Sequence, residues 1–136
     1  MLAIHQQPVT DFLFVYGTLM QGFLNPYARQ LHQQSRFVGF GHLPGKLYRI
    51  SWFPGAVPDP KATSRIYGEV YQLQTPTETL PVLDEYEDLA ADGSGIYIRR
   101  ALPVLVADQL LTCWIYTYNA STAKLVPIVS GRWPKE

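Results

Sequence analysis

The chain has one cysteine and few charged residues. The first bears on the compartment in which the protein resides, and the second on the kinds of partner that it can bind. Cys113 cannot form an internal disulfide, so the sequence does not require an oxidising compartment, and cytoplasmic residence is the simplest expectation. Charged residues make up 16% of the chain, with 11 acidic and 11 basic residues, and no basic run is longer than Arg99-Arg100. This balance argues against a surface that binds nucleic acid.

Long apolar runs are also missing. No run approaches the roughly 20 residues that cross a bilayer, so no membrane association is expected. The segment Met1–Gln7 has no charged stretch followed by an apolar core, so it does not resemble a secretory signal. The 47% of apolar residues instead favours a compact globular protein.

Metal and nucleophile patterns are absent from the sequence as well. The histidines lie far apart and show no ligand spacing, so we expect surface or hydrogen-bonded structural roles for all three: His5, His32 and His42. Cys113 alternates with Trp114 in a strand-like run without a basic neighbour, which predicts a core residue rather than a nucleophile. Gly39-x-Gly41 lacks the third glycine and the helix of a dinucleotide site. The sequence therefore predicts no metal and no cofactor.

Strand-like runs dominate the 136 residues, which show no internal repeat or linker and are expected to form one domain, residues 1–136. The predicted strands are Phe12–Tyr16, Arg36–Leu43, Lys46–Ile50, Ile66–Leu73, Tyr97–Ala107 and Leu110–Tyr118. Proline and glycine, as in Phe53–Pro58, mark the middle of the chain as irregular. Short strands with such punctuation predict an α+β fold in which a closed or strongly curved sheet carries flanking helices.

Two segments are predicted to be helical. Asn25 is a favourable N-cap, and Pro26 suits the first position of a helix that runs to Gln33. A second helix is predicted from Thr77 or Thr79 to about Leu89, with Pro81 tolerated in its first turn. The glycine-rich segment Asp92–Gly95 is expected to end this helix and form a loop.

The first candidate binding feature is the end of the first strand. The apolar run reaches Tyr16 and is followed by Gly17, which we expect to let the backbone turn where other residues would be strained. Thr18 and Leu19 then have N–H groups without an obvious strand partner. A turn of this kind presents two or three amides to an anion, although the same pattern is also common in purely structural turns.

The second candidate is Glu87, which shares one predicted helix face with apolar residues such as Leu83. A buried glutamate has a raised pKa and can move protons near neutral pH. The alternative is that Glu87 is solvated at the helix edge, or paired with Arg99 or Arg100. Neighbouring acids are expected to be mostly surface charges, although one of them could hold the helix by hydrogen bonding: Asp84, Glu85 and Asp88.

Phe14–Gly22 resembles the Tyr-Gly-Thr-Leu-x-x-Gly signature of the γ-glutamylcyclotransferase-like (AIG2-like) superfamily. Further segments are similar to later motifs of that superfamily, in the same order: Gly45–Tyr48, Phe53–Val57, Gly68–Tyr71, Leu83–Glu87, Tyr97–Arg99, Cys113–Tyr116 and Ser130–Trp133. Single pieces are weak signals. Their order and spacing over residues 14–133 carry the resemblance.

The resemblance implies a small mixed sheet that closes into a barrel, with helices around it and a cavity at one end. It also implies that the cavity binds its ligand largely through main-chain amides and is lined by Tyr16, Gly17, Thr18 and Leu19. Glu87 matches the catalytic glutamate, and Tyr116 matches a tyrosine often found in the cavity. Two departures are Asp88, where many relatives have glycine, and Met20, where a basic residue is frequent; Asp88 could raise the pKa of Glu87 further.

The reaction that the resemblance implies is an intramolecular aminolysis. The α-amine of a γ-glutamyl amine or γ-glutamyl peptide attacks its own side-chain carbonyl, and 5-oxoproline and an amine are released. The nucleophile belongs to the substrate, so no catalytic serine, cysteine, metal or cofactor is needed, and Glu87 is expected to serve as general acid and base. Two alternatives remain: a non-catalytic module that binds a small acidic metabolite, and a protein-interaction domain with a vestigial cavity.

Overall fold

The computed structural model describes residues 10–87 and 96–134. In chain order, its helices and strands are β1 Phe12–Val15, α1 Pro26–Gln33, β2 Ser35–Arg49, β3 Pro54–Pro58, β4 Arg65–Leu73, α2 Pro76–Tyr86, β5 Tyr97–Val106, β6 Gln109–Tyr118 and β7 Val126–Pro127. Within these two ranges, no helix is both long enough and apolar enough to cross a bilayer.

Five strands close into a mixed barrel in the order β1-β4-β2-β3-β6, with β6 returning to β1. The neighbours pair antiparallel except at β6, which runs parallel to both β3 and β1. Strand β5 extends β6 along its whole length and reaches back to β2, and the short β7 pairs with the far end of β2. The α+β barrel with flanking helices that the sequence predicted is confirmed.

The interior of the protein is apolar and draws on the strands and on both helices. Helix α1 contributes Ala28 and Leu31, and α2 contributes Leu80 and Leu83. Cys113 is fully buried on β6, and burial raises the pKa of its thiol to about 12. It is therefore a core residue, as the sequence predicted, and not an activated nucleophile.

The middle of the chain is more regular than its sequence suggests. The predicted strands at 36–43 and 46–50 are one continuous strand, β2, because Pro44-Gly45 marks the point where β2 changes partner from β4 to β3. The expectation of an irregular segment at Phe53–Pro58 is also wrong. Residues Pro54–Pro58 form β3, whose two prolines lie at its ends, where fewer ladder bonds are lost.

Helix α2 differs from its prediction at both ends. It begins at Pro76, which occupies the first turn, and it ends at Tyr86, with Glu87 as its C-cap residue. Glu87 therefore follows the helix instead of lying inside it, and its N–H still bonds the Leu83 carbonyl at 2.9 Å. The predicted extension to Leu89 and the loop at Asp92–Gly95 lie outside the described residues. Strand β7 had no counterpart in the sequence prediction.

Gly68, on β4, lies directly against the end of β1. A Cβ atom at this position would overlap the Val15 carbonyl oxygen and lie 2.8 Å from Phe14 Cζ. Because Val15 is the last residue of β1, this contact sets where the following turn begins. Gly39, on β2, is less restricted, since its added Cβ would meet only the tip of Val106 at 3.1 Å.

We predict that Gly68→Ala lowers the free energy of unfolding by about 2 kcal/mol or more, because backbone must move to admit the methyl group. Gly39→Ala is the matched control and should cost less than about 1 kcal/mol, since a side-chain tip can shift. Urea denaturation of both variants measures the difference. Equal effects would show that the close contact between β1 and β4 is not tightly constrained.

Candidate active site

The turn after β1, Gly17–Leu19, is called the amide turn below. Its three carbonyl oxygens all have partners: the first accepts from the Met20 N–H at 3.1 Å, the second from Asn25 Nδ2 at 2.8 Å and the third from His32 Nε2 at 2.8 Å. By contrast, its three N–H groups have no acceptor within residues 10–87 and 96–134. Successive unbonded amides of this kind form a concave site for an anion or a carbonyl oxygen.

Helix α1 holds the amide turn in this arrangement. Asn25 accepts from the Ala28 N–H at 2.8 Å as the helix cap, while its amide nitrogen reaches back to the turn. His32 bonds the turn from the last helical turn and stacks on Tyr71 at 5.1 Å between ring centroids. The structural role expected for His32 is confirmed, and its Nε2 must carry the proton because a carbonyl only accepts.

His42 departs from the expectation of a surface or hydrogen-bonded histidine. Its Nδ1 atom is buried without a hydrogen-bond partner in the described part of the chain. Its ring lies on β2 against Tyr67, at 5.4 Å between centroids, and an aromatic face satisfies neither a donor nor an acceptor. His5 lies outside the described residues.

The reason for glycine at position 17 also differs from the expectation. Its φ angle is not in the left-handed region, so the backbone conformation itself does not demand glycine. A Cβ at Gly17 would instead lie 2.8 Å from Cγ and 2.9 Å from Cδ of Pro54, the first residue of β3. Glycine is thus needed because β3 passes against the amide turn.

All six site residues named from the sequence line one cavity, a partly open pocket of about 330 Å³ that includes the space at its mouth. The lining residues are Phe14, Val15, Tyr16, Gly17, Thr18, Leu19, Pro54, Glu87 and Tyr116. Pro54 was not proposed as a site residue, although it belongs to one of the recognised motifs. The apolar wall formed by Phe14, Val15 and Pro54 lowers the local polarity around the one carboxyl group in the lining.

The pKa of the Glu87 carboxyl is raised from 4.5 to about 8, first by burial and then by the negative charge of Asp84. Glu87 is half-buried and lines the cavity. No hydrogen-bond donor in the described part of the chain reaches this carboxyl. At neutral pH, Glu87 is therefore mainly a protonated, neutral acid.

Asp84 lies one helical turn before Glu87. It forms the ion pair with Arg99, which the sequence analysis had named as a possible partner of Glu87. Its carboxylate accepts from Arg99 Nε at 2.7 Å and from Arg99 Nη2 at 3.0 Å, which is a bidentate ion pair. The Tyr116 hydroxyl donates to the same carboxylate at 2.7 Å. Asp84 therefore holds α2 against β5 and β6, as one sequence alternative suggested. Arg100 and Glu85 are exposed, and Asp88 lies outside the described residues.

Four tyrosines surround the Glu87 carboxyl closely enough for its charge to raise their pKa values: Tyr16, Tyr86, Tyr97 and Tyr116. Burial is the larger cause of each shift, so all four hydroxyls remain protonated. Tyr86 shares a hydrogen bond of 2.6 Å with the Thr18 hydroxyl and packs on Tyr27 of α1 at 4.5 Å between ring centroids. The roles of Tyr86 and Tyr97 were not inferred from the sequence.

Comparison with known proteins agrees with this geometry. The profile of one protein family, described as gamma-glutamyl cyclotransferase, AIG2-like, matches residues 13–135. The chain belongs to this family. Within the described residues, no cluster of three His, Cys, Asp or Glu side chains is arranged to hold a metal ion.

Relatives of this AIG2-like chain come from archaea, bacteria and mammals. MJ1514 of Methanocaldococcus jannaschii, named as a gamma-glutamylcyclotransferase whose activity is still to be proven, is 32% identical over 85% of this chain and 91% of its own. An AIG2-like protein of Mus musculus is 26% identical, with a TM-score of 0.66 over 84% of this chain and 80% of its own. YkqA of Bacillus subtilis is 25% identical, with a TM-score of 0.70 over 92% of this chain, which spans only 40% of YkqA.

We predict that Glu87→Gln gains stability over the parent protein as pH rises. Between the ordinary pKa of 4.5 and about 8, the unfolded chain releases the Glu87 proton while the folded protein keeps it. The parent therefore loses up to about 1.4 kcal/mol per pH unit in this window, whereas glutamine has no proton to lose. Below this window Glu87 is protonated in both the folded and the unfolded parent protein, so the stability gain of Glu87→Gln disappears.

Urea denaturation of both proteins from pH 5 to pH 8 measures this difference. Glu85→Gln, which changes an exposed glutamate two residues away, is the matched control for the loss of one carboxyl group. A difference for Glu87→Gln that is independent of pH would contradict the neutral, buried state of the carboxyl.

Proposed function

We propose that this chain is a γ-glutamyl cyclotransferase that releases 5-oxoproline from a small γ-glutamyl amine or γ-glutamyl peptide. The observation that carries the proposal is the presence, in one cavity, of a glutamate with a pKa of about 8 and a row of unbonded amides. The first is a proton carrier, and the second is a site for an anion or a developing oxyanion.

The reaction forms a bond between the substrate's α-nitrogen and its own side-chain carbonyl carbon, and it breaks the bond from that carbon to the leaving nitrogen. The α-nitrogen arrives as an ammonium and must lose a proton before it attacks. The leaving nitrogen must gain one before it departs. Glu87 in its carboxylate form takes this proton and returns it to the leaving nitrogen. The attacking nitrogen loses a second proton as it becomes the lactam N–H, and that proton ends on the released amine, which departs as an ammonium, so the enzyme ends in its starting state.

The raised pKa of Glu87 suits both halves of this transfer. α-Amines titrate at roughly pH 8, so a carboxyl with a similar pKa exchanges a proton with them at little cost in free energy. An ordinary glutamate, with a pKa of 4.5, would be too weak a base to deprotonate an ammonium efficiently. Burial against the apolar wall is the main reason that the pKa of Glu87 lies above this ordinary value.

The amide turn supplies the second element of the mechanism. Its N–H groups are fixed by the hydrogen bonds to its carbonyls, so they need no rearrangement when a negative oxygen arrives. They anchor either the α-carboxylate of the glutamyl group or the oxyanion that forms at the attacked carbon. In both cases they hold the glutamyl chain curled, and this orientation supplies several kcal/mol of the rate enhancement.

Family membership and the name of MJ1514 support the same chemistry. The runner-up is a non-catalytic module that holds a small acidic metabolite on the same amides. A cavity built only to bind an acid would gain nothing from a second, unpaired carboxyl group beside it. The catalytic proposal accounts for Glu87, and the binding proposal does not.

We predict that the parent protein releases 5-oxoproline from one or more members of a panel that contains a γ-glutamyl amino acid, a γ-glutamyl methylamide and a γ-glutamyl peptide. Glu87→Gln should fold normally and lose about two to four orders of magnitude in turnover, because the proton carrier is gone. Chromatographic assay of 5-oxoproline measures both.

Glu85→Gln should retain the parent's turnover, since its exposed carboxyl does not line the cavity. An N-acetylated γ-glutamyl substrate should not react, because its nucleophile is blocked. Parent-like turnover by Glu87→Gln would overturn the role of Glu87. If no panel member reacts but 5-oxoproline raises the melting temperature, the binding module is correct; with neither result, the protein-interaction domain is favoured.

A further inference from the structure

The hydroxyl groups around Glu87 all have other hydrogen-bond partners. Tyr16 donates to the Tyr116 carbonyl oxygen at 2.5 Å, and Tyr97 donates to the Pro54 carbonyl oxygen at 2.5 Å. Each of these phenols has one proton, so neither can also donate to Glu87. The Tyr86 hydroxyl shares a hydrogen bond with the Thr18 hydroxyl, in which either oxygen can be the donor.

Tyr116, which lines the cavity, donates its hydroxyl proton to a charged acceptor. Its hydroxyl donates to Asp84 Oδ1 at 2.7 Å, which is a charge-assisted bond. A phenol that donates to a carboxylate still has oxygen lone pairs, so Tyr116 can accept a hydrogen bond from a group in the cavity. Asp84 thus converts a side chain that could have donated to Glu87 into an acceptor.

Asp84 also acts on Glu87 through its charge. The two residues are three positions apart at the end of α2, where such neighbours share a face. Arg99 binds both oxygens of Asp84 and also interacts with the Tyr116 side chain, and it has no hydrogen bond to Glu87 among the described contacts. The carboxyl of Glu87 therefore faces a negative neighbour, no donor from the described residues, and an apolar wall.

The geometry points to Asp84 as a positioning residue: through Tyr116 and through its own charge, it holds Glu87 as a neutral acid in the empty site and makes the pocket a receptor for an ammonium group. The identity of that ammonium, the α-amine of a γ-glutamyl group, rests on the proposed function. An incoming ammonium brings hydrogen-bond donors and a positive charge, which no described residue supplies directly to the Glu87 carboxyl. The bound ammonium favours the carboxylate, so Glu87 releases its proton to solvent as the substrate binds and is then available as a base.

The titratable and charged groups that face Glu87 come from four parts of the described chain. Asp84 and Tyr86 belong to α2, Tyr97 to β5, Tyr116 to β6, and Tyr16 follows β1. Arg99 of β5 is paired with Asp84. The tyrosines remain neutral because burial and neighbouring negative charge raise their pKa values. Among these described groups, the ion pair of Asp84 and Arg99 therefore sets the charge beside Glu87.

Two substitutions in this ion pair test the proposal, because they should move the titration of Glu87 in opposite directions. Asp84→Asn removes the negative neighbour and leaves the Arg99 charge, so the Glu87 midpoint should fall by about one pH unit. Arg99→Gln leaves the Asp84 charge uncompensated, so the midpoint should rise. Carbon-13 NMR of side-chain carboxyls in the ligand-free protein measures both midpoints, and Glu87→Gln assigns the signal.

A merely structural role for Asp84 predicts a different outcome. Loosening of the helix would admit water in both variants and lower the Glu87 midpoint in both, and shifts in the same direction would overturn the proposal. If Asp84→Asn does not fold, as judged by circular dichroism, the direction of the Arg99→Gln shift decides: a rise supports the proposal and a fall or no change overturns it.

Tyr116→Phe tests the acceptor role separately. This variant keeps the ion pair, so we expect the Glu87 midpoint to remain near that of the parent, while KM rises about tenfold with a smaller change in kcat. A normal KM would overturn the ammonium contact of Tyr116. The titrations need no turnover, so a complete lack of cyclotransferase activity would refute the proposed function while the assignment of Asp84 was still decided by the NMR data.

Discussion

The buried hydroxyl of Tyr16 holds together the region on which the site depends. It donates to the Tyr116 carbonyl of β6 and accepts from the Ala56 N–H of β3 at 3.2 Å, so one side chain bridges the parallel neighbours β3 and β6. Both hydrogen bonds are protected from water, which makes them costly to break. Because Tyr16 is the residue just before the amide turn, this bridge also fixes where the turn's N–H groups lie.

The amide turn carries a cost that the rest of the fold offsets. Its N–H groups lack acceptors in the described residues, and leaving such groups unpaired is unfavourable when water is displaced. The carbonyls of the same turn are paired with Asn25 and His32 of the α1 region, and Pro54 of β3 blocks any side chain at position 17. Helix α1 and strand β3 therefore do more than cover the barrel: they hold the turn in a conformation suited to a ligand.

Local patterns predicted features that depend on neighbouring residues, such as the apolar strand before Gly17 and the cap at Asn25. The position of Glu87 was left open between an inward-facing acid and a solvated or arginine-paired one. Contacts between distant segments were not predictable in this way. Glycine at position 17 is explained by Pro54, and the choice of Arg99 between Asp84 and Glu87 depends on how α2 sits against β5. Residues three apart on one face look equivalent in sequence, and only the packing distinguishes them.

That choice of partner has a functional consequence. An arginine bound to Glu87 would stabilise its carboxylate, lower its pKa and leave it too weak a base for an ammonium. With Arg99 bound to Asp84 instead, one ion pair secures the helix while the neighbouring acid stays unpaired and retains a pKa of about 8. The two acidic residues, three positions apart, therefore differ in role: Asp84 holds the helix in place, whereas Glu87 has no hydrogen-bond donor among the described residues. In the proposed mechanism, the stability lost by burying Glu87 is what gives its carboxyl a pKa suited to proton transfer.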